Sequence, residues 1–259
     1  MTIEQTTEYK SQKIRVQPTA LLLGEKKVAP PPLESGDRLT LREFERRYHA
    51  MPNKKAELIE GVVYIQSPIR FDIHGEPHAQ IISWLGVYCA ATPGVRMADN
   101  TTVRLDPDNE AQPDVLLRIE PAVGGNSRIS DDGYVEGAPE LIVEVAATSA
   151  AYDLHDKLRV YRRNGVREYL VWQTYDQRLD WFRLHEGEYL SITPDESGVA
   201  AVHEVTAERS EHSEVFPGLC LAGEALLEGN LAKVLSELQK GLDSTEHAAF
   251  VERLNQSTN

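Results

Sequence analysis

The sequence predicts an α/β protein of the α+β kind, in which helices flank a mixed β-sheet. Short apolar or alternating runs, bounded by turn residues, predict the strands. Longer segments with apolar residues three and four positions apart predict helices between and after these strands. A chain of 259 residues is long enough for one domain with a substantial core and flanking segments.

Three parts of the chain are expected. Residues 1–37, which include the Pro30–Pro32 tract, predict a flexible arm. Residues 38–220 form the predicted main domain. In the C-terminal extension, 221–259, apolar residues at helical spacing predict a helical hairpin. Its first helix is expected over 223–242, and its apolar stripe either covers the core of the domain or binds a partner.

The main domain opens with a predicted helix and then a strand or tight strand pair. Thr40–Glu43 has the form of a capping box, and apolar residues at helical spacing continue to Ala50. Residues 57–65 are typical of strands, with a bend near Glu60-Gly61.

A second helix is predicted from Pro77 and His78 to the Pro93-Gly94 turn. His74 lies four residues before His78, which is the spacing of a zinc-binding pair on one helical turn. Gly75 and Pro77 intervene and no glutamate follows His74 directly, so the sequence argues against a metalloprotease site. His78 alone stays a candidate site residue, with a structural histidine bonded to backbone as the alternative.

Two predicted strands carry carboxylates. Residues 112–119 read as a strand with Asp114 at its entrance, after a proline that suits the first position of a strand. Residues 140–145 read as a buried strand in which Leu141 and alternate residues share one face and Glu144 lies on the other. A carboxylate in such a strand is costly unless it is paired, protonated or bound to a cation.

The remaining predicted elements complete the sheet. Residues 101–105 form a strand that turns through 106–109, and a long connection separates Ile119 from Pro139. A buried strand over 168–172 precedes a hairpin of 178–184 with 188–192.

The segment from Asp153 to Arg163 has helical spacing, and Asn164-Gly165 supplies its stop signal. Asp153, Lys157 and Tyr161 share one face of this helix, which starts close after the Glu144 strand. Two acids on neighbouring strands offer hard oxygen ligands to a divalent metal, and an adjacent ammonium steadies the attacking water or the developing charge. This is the equipment of a metal-dependent phosphodiesterase. A surface lysine paired with Asp153 is the alternative for Lys157.

The charge balance argues against an extended basic surface that clamps nucleic acid. The chain has 27 basic and 41 acidic residues and a net charge of −14. Two local basic patches are the candidates for contact with nucleic acid, and solvated helix faces are their alternative. The patches are Arg42, Arg46, Arg47, Lys54 and Lys55, and Arg159, Arg162, Arg163 and Arg167.

Cysteine usage and the N-terminal sequence favour a soluble cytoplasmic protein without a membrane segment. Cys89 and Cys220 lie far apart and form no ligand spacing or disulfide framework. The first residues have neither a basic region nor an apolar region of a signal peptide.

Several stretches together resemble the PD-(D/E)XK nuclease superfamily and, within it, the Uma-two (Uma2) family of restriction-endonuclease-like proteins. The resemblance covers roughly residues 40–220. The stretches that carry it, in order, are Glu57–Gly61, His78 at a helix start, Gln112–Val115, Pro139–Val145, the spacing of Asp153 and Lys157, and Gly165–Tyr169. The residue two after Glu144 is Ala146 rather than the lysine of the superfamily, and Lys157 on the following helix is expected to replace it.

The resemblance implies a restriction-endonuclease-like core and an endonuclease that cuts nucleic acid, DNA above all, with Mg²⁺ or Mn²⁺. Asp114 and Glu144 are the implied metal ligands, and Glu57 and Lys157 complete the implied catalytic set. Secondary site residues are His78, Asp153 and Tyr161. The pattern favours Glu57 over its neighbour Glu60 as the first acid, although the residues alone do not separate them.

Two other functions compete with the nuclease hypothesis. A non-catalytic binding or scaffolding module that keeps the fold suits the acidic balance, and a hydrolase of small phosphoesters would need a nucleotide-cradling loop that the sequence lacks. For a nuclease that cuts duplex, a homodimer is expected, because each compact site handles one scissile phosphate.

Overall fold

The structure is a computed structural model, and it describes residues 29–51, 54–66, 68–192 and 211–256. Most of the predicted N-terminal arm therefore lies outside the described residues. Leu33, near its end, is buried against Phe44 and Leu58. The boundaries expected for the main domain and its extension stay a prediction.

The described residues form short strands and mostly short helices. The strands are β1 Ala56–Ile59, β2 Val62–Ile65, β3 Val95–Asp99, β4 Val103–Asp106, β5 Asn109–Ala111, β6 Val115–Ile119, β7 Arg128–Ile129, β8 Val135–Glu136, β9 Leu141–Ala146, β10 Glu168–Gln173, β11 Arg178–His185, β12 Glu188–Ser191, β13 Glu211–His212 and β14 Cys220–Leu221. The α-helices are α1 Leu41–Tyr48, α2 Glu76–Ala91, α3 Ala150–Tyr152, α4 Leu158–Asn164, α5 Gly223–Leu227, α6 Leu231–Leu242 and α7 Thr245–Gln256. Two π-helical turns, Phe71–Gly75 and Asp153–Lys157, lead into α2 and α4.

Twelve of the fourteen strands in the described residues build two six-stranded sheets, and β13 and β14 form a separate two-stranded sheet, rather than the single mixed sheet that the sequence predicts. The first sheet has the order β2-β1-β5-β4-β8-β7 and the second the order β12-β11-β10-β9-β6-β3. Each is mixed, because β4 and β8 run parallel in the first sheet and β9 and β10 run parallel in the second. The mixed α/β class with flanking helices is confirmed.

The link between β5 and β6 carries the chain from the first sheet to the second. The strand predicted over 112–119 therefore begins only at Val115. Gln112 donates its backbone N–H to Glu57 of β1, so that it is still held by the first sheet. Asp114 stands directly before β6, at the entrance of the strand, as the sequence predicts.

Strands β3, β5, β7, β8, β13 and β14 are not predicted from the sequence. The strand over 101–105 pairs with β5 and not with the Asp114 strand that is expected to follow the turn. Strands β7 and β8 lie in the segment expected to be a long connection, and runs of two residues show no alternation that would predict them. They pair with each other, and β8 also pairs with β4, which extends the first sheet.

Several local predictions are confirmed. Thr40 caps α1 by accepting a hydrogen bond from the Glu43 N–H. Residues 57–65 form a hairpin whose turn residues, Glu60 and Gly61, have φ angles of 52° and 72°. Both values suit the two-residue turn that matches the twist of a hairpin. The hairpin of β11 and β12 is also present.

The two faces of β9 belong to different apolar layers, which decides where Glu144 points. Leu141, Val143 and Val145 pack in the core formed with α2 and the C-terminal helices. Ile142 and Ala146 pack in a second core that joins the two sheets and α4. Glu144 alternates with the first group, so it faces the layer between the sheets.

The C-terminal extension, as far as residue 256, contains three helices, not the two of the predicted hairpin. Residues 228–230 interrupt the helix expected over 223–242, because Gly229 has a φ of 73° and Asn230 caps α6 by accepting from the Lys233 N–H. Leu226, Leu238 and Phe250 from these helices are buried in the main core. No helix in the described part of the chain is both long enough and apolar enough to cross a membrane.

Glu168, the first residue of β10, is a buried carboxyl that should make the stability of the protein depend on pH. Its Oε1 accepts hydrogen bonds from the N–H groups of Glu214 and Val215, at 2.9 and 3.1 Å. Burial raises the pKa of this carboxyl from 4.5 to about 7. Between these pH values the folded protein binds a proton that the unfolded protein lacks, so stability falls as pH rises through this window.

We expect Glu168→Gln to reduce this pH dependence, because glutamine keeps the accepting oxygen and does not ionise. Between pH 5 and pH 8 the free energy of unfolding should fall by roughly 1–3 kcal/mol less in the variant than in the wild type. Urea unfolding at both pH values measures the difference. An identical decline in the two proteins would contradict the assignment.

Candidate active site

Four sequence-predicted residues meet between the two sheets. Glu57 extends from β1 of the first sheet, and Glu144 extends from β9 of the second. Asp114 lies on the link between the sheets, and Lys157 ends the π-helical turn before α4. All four are buried. The structure thus brings together the complete set that the sequence predicts.

The Lys157 ammonium is the centre of this group. Its Nζ lies 2.9 Å from Glu57 Oε1, 2.9 Å from Glu144 Oε1 and 3.7 Å from Asp153 Oδ1. Only 3% of the side chain is exposed, so the alternative of a surface lysine is wrong. Burial works to lower the pKa of Lys157, but Glu144 and Glu57 outweigh it and raise the pKa well above its ordinary value. The ammonium therefore stays charged.

Glu144 is held from several sides. Its Oε1 accepts hydrogen bonds from Lys157 Nζ and from the Tyr161 hydroxyl, each at 2.9 Å. Its Oε2 lies 3.4 Å from the Asp114 N–H. Burial raises the pKa of Glu144 well above its ordinary value, and the nearby acids add to the effect, while Lys157 opposes it. Extra positive charge beside this carboxyl would favour its ionised form.

Asp114 is oriented by residues on both sides of the link. Its Oδ2 accepts a 2.7 Å hydrogen bond from the Val145 N–H, and its Oδ1 lies 3.3 Å from His74 Nε2. Burial works to raise the pKa of Asp114, but His74 and the Val145 N–H outweigh it and lower the pKa below its ordinary value. Of the two implied metal ligands, Asp114 is therefore the one whose surroundings favour the ionised carboxylate.

The structure separates the two candidates for the first acid. Glu57 Oε1 contacts Lys157 and accepts a 2.7 Å hydrogen bond from the Gln112 N–H. Glu60 lies in the turn after β1, where its carboxylate pairs with Arg159 and Arg163 near the surface. Glu57 is therefore the acid of the cluster.

The three secondary candidates lie around the same group. Asp153 is buried within ion-pair distance of Lys157, and burial raises its pKa to about 6. Tyr161 contacts Glu144 directly. His78 Nε2 lies 3.0 Å from the Asp114 carbonyl oxygen and 3.0 Å from Asp99 Oδ1, so it contacts the backbone of Asp114 and not its carboxylate.

His74 and Tyr152 are neighbours of the site that sequence reasoning missed. The His74 and His78 rings are 5.5 Å apart, because the π-helical turn Phe71–Gly75 runs directly into α2. Pro77 does not interrupt this path, since a proline in the first turn of a helix removes no needed N–H. The expectation that Gly75 and Pro77 interrupt a continuous helical path between the two histidines is therefore wrong, and their spacing of four was the available signal.

Tyr152 covers the cluster at the start of the π-helical turn. Its hydroxyl lies 3.4 Å from Glu57 Oε2, and its ring centroid lies 5.2 Å from Lys157 Nζ. The aromatic face excludes water from one side of the ammonium and attracts its charge. Nothing in the local sequence distinguishes this tyrosine from one in an ordinary core.

The donor set fits a divalent cation. The carboxyl groups of Glu57, Asp114, Glu144 and Asp153 outnumber the single Lys157 ammonium among them, and the pKa values of Glu144 and Asp153 are raised. A bound cation would favour the ionised form of these acids. His74 Nε2 is buried without a hydrogen-bond partner. Within the described ranges no group of three or more His, Cys, Asp or Glu forms a ready ligand shell. That is compatible with Mg²⁺, which commonly binds one or two carboxylates and keeps several waters.

Five arginines of the two predicted basic patches pair with acidic neighbours. Glu43 pairs with both Arg46 and Arg47 on α1. Arg159 and Arg163 share Glu60, and Arg162 pairs with Glu188. These arginines therefore carry less net attraction for a polyanion than their number indicates.

A comparison with protein families finds a match over most of the chain. The model named Uma2, with the description "Putative restriction endonuclease", matches residues 41–222. This range contains Glu57, Asp114, Glu144 and Lys157. No curated protein matches the chain.

A comparison with solved structures finds a protein titled as a "putative nuclease belonging to DUF820 from Anabaena variabilis ATCC 29413". It is 15% identical, with a TM-score of 0.47, and the match covers 77% of the present chain and 99% of the other.

The buried ion cluster generates a prediction about stability. Lys157→Met should lower the free energy of unfolding by about 3–5 kcal/mol, because it leaves two buried carboxylates without their shared cation. Urea unfolding measures this loss. The matched control is Arg159→Met, two residues along, whose side chain is 53% exposed and whose loss should cost within about 0.5 kcal/mol.

Adding Glu57→Gln and Glu144→Gln to Lys157→Met should restore part of the lost stability, since the unpaired charges are then removed. Equal stability of Lys157→Met and Arg159→Met would contradict the buried ion cluster.

Proposed function

Because the chain belongs to the Uma2 family, described as "Putative restriction endonuclease", we propose that it is a metal-dependent endonuclease of the PD-(D/E)XK type. The observation that carries the proposal is the Lys157 ammonium, buried at 2.9 Å from both Glu57 and Glu144. A charge group of this kind is costly to bury. The buried charge group is therefore more readily explained by a role in binding or reacting with a substrate than by a contribution to the stability of the fold.

The residues divide into a metal-binding part and a charge-stabilising part. Asp114 and Glu144 would hold Mg²⁺ or Mn²⁺, with Glu57 completing the shell directly or through water. The bound metal would lower the pKa of a water molecule and neutralise charge on the phosphate. Lys157 contacts Glu144 Oε1, whereas Glu144 Oε2 lies near the backbone N–H of Asp114.

Lys157 acts as an electrostatic stabiliser rather than as a base. Its pKa is raised well above the ordinary value although burial opposes this, because Glu144 and Glu57 hold the ammonium charged. A charged ammonium has no lone pair to accept a proton, so it stabilises negative charge that develops on the scissile phosphate. Asp153 and Tyr161, one helical turn to either side, position the Lys157 and Glu144 side chains.

The proposed substrate is nucleic acid, and DNA above all. A net charge of −14 and paired arginines mean that the metal and Lys157 supply much of the attraction for the phosphate. The same acidity favours one competing function, a binding or scaffolding module with a retained fold. Cleavage of any nucleic acid by the pure protein would exclude it as the sole role.

The first test is cleavage of plasmid and single-stranded DNA with Mn²⁺. Asp114→Asn and Glu144→Gln should abolish cleavage, because each removes an anionic metal ligand with little change in volume. Lys157→Met should lower turnover by on the order of a hundredfold or more, the effect of losing one preorganised charge, while Mn²⁺ still binds in calorimetry. Lys240→Met on α6 is the control, since this lysine pairs with Glu237 at the surface.

Equal rates in Lys157→Met and the wild type would refute the role of the lysine. A wild type that binds Mn²⁺ and cuts no substrate would favour the scaffolding function.

The second test concerns assembly. We propose a homodimer, because cleavage of both strands of a duplex by one-phosphate sites needs two sites related by symmetry. Sedimentation at micromolar concentration should show twice the mass of 29.0 kDa. A monomer that still linearises plasmid in a single binding event would contradict the dimer.

A further inference from the structure

We propose that His74 is a nitrogen ligand of the metal held by Asp114, and that it makes the site prefer Mn²⁺ to Mg²⁺. The inference rests on the metal site of the proposed function and adds a ligand that the family resemblance does not imply. His74 contributes a donor of a different chemical type from the carboxylates around it.

The tautomer of His74 follows from its contact with β9. Nδ1 lies 2.9 Å from the Val145 carbonyl oxygen, and a carbonyl oxygen only accepts hydrogen bonds. Nδ1 therefore carries a hydrogen. Nε2 is the atom that lies 3.3 Å from Asp114 Oδ1. The Asp114 carboxylate raises the pKa of His74 in the metal-free site, so a cation that binds Nε2 would displace the Nε2 proton.

His74 Nε2 is a buried nitrogen without a hydrogen bond. The 3.3 Å contact between Nε2 and Asp114 Oδ1 lacks hydrogen-bond geometry. Two adjacent ligands of an octahedral ion, each about 2.1 Å from the metal, lie about 3 Å apart. The 3.3 Å between these two atoms is close to that spacing. The pair has the arrangement of neighbouring ligands.

One residue orients both members of the pair. The Val145 carbonyl accepts from His74 Nδ1, and the Val145 N–H donates to Asp114 Oδ2. A metal-binding histidine commonly donates its second ring N–H to a backbone carbonyl, which sets its tautomer and ring orientation. Here the same peptide segment also directs the carboxylate, so both donors are aimed from one strand.

A nitrogen ligand alters metal preference. Carboxylates and water suit Mg²⁺ and Mn²⁺ alike, whereas imidazole is a ligand of first-row transition ions rather than of Mg²⁺. One nitrogen donor in an oxygen-rich shell therefore favours Mn²⁺ over Mg²⁺. His78, one helical turn on, contacts the Asp114 carbonyl and Asp99 instead, so it is not expected to bind the ion. The two histidines are thus a natural test pair.

The deciding experiment is pulsed EPR of Mn²⁺-loaded protein, together with calorimetric titration by Mn²⁺ and by Mg²⁺. The variant is His74→Asn, since the asparagine amide N–H replaces the Nδ1–H contact with Val145 and Nε2 is lost. We expect histidine nitrogen coupling in the wild type and in His78→Asn, and none in His74→Asn. Mn²⁺ affinity should fall on the order of tenfold or more in His74→Asn, and Mg²⁺ affinity by about twofold or less.

The inference is overturned if wild-type Mn²⁺ shows no nitrogen coupling, if the coupling survives in His74→Asn, or if it disappears only in His78→Asn. Equal losses of Mg²⁺ and Mn²⁺ affinity would also overturn it, because they indicate an electrostatic role. The wild-type spectrum decides the question even if His74→Asn unfolds, which thermal melting detects.

A cleavage assay on the same samples separates this inference from the proposed function. Nitrogen-coupled Mn²⁺ without cleavage leaves the ligand assignment intact and contradicts the nuclease. Cleavage by a protein whose Mn²⁺ shows no nitrogen coupling contradicts the ligand assignment and leaves the nuclease function intact. A wild type that binds no Mn²⁺ overturns both.

Discussion

The ion pair of Lys157 with Glu57 and Glu144 connects the parts of this molecule. Glu57 belongs to the first sheet, Glu144 to the second, and Lys157 to the helical segment packed beside them. A buried ammonium is tolerated only when its carboxylate partners are in place. The cluster therefore exists only in a chain whose two sheets and helix are already assembled, which makes the site a consequence of the complete fold.

The short link from Gln112 to Asp114 explains why the site lies where it does. The Gln112 N–H contacts Glu57 of the first sheet, and the Asp114 N–H lies 3.4 Å from Glu144 of the second. The backbone that crosses between the sheets thus contacts an acid from each of them. Asp114 itself is carried to the same point because it ends the link. A connection longer by a few residues would remove this restraint on both carboxylates.

The cluster of buried acids around Lys157 costs more free energy than apolar side chains in the same place would. Its carboxylates exceed its ammonium, and burial raises the pKa of Asp153 to about 6 and that of Glu144 well above its ordinary value. Apolar side chains would fill the same layer at lower cost, since replacing buried ion pairs by packed apolar groups is often neutral or stabilising. Strain of this type is common where a protein binds or reacts with a charged partner.

The sequence by itself determined the local patterns: alternation in 140–145 sets Glu144 opposite the apolar residues, and helical spacing aligns Lys157 with Asp153. These depend on neighbours in the chain, so periodicity reveals them. Only the tertiary structure decided that there are two sheets, that Glu57 and not Glu60 meets the lysine, and that His74 faces Asp114. The physical reason is that these contacts join residues far apart in sequence, and no local period records which distant backbone will lie beside a given side chain.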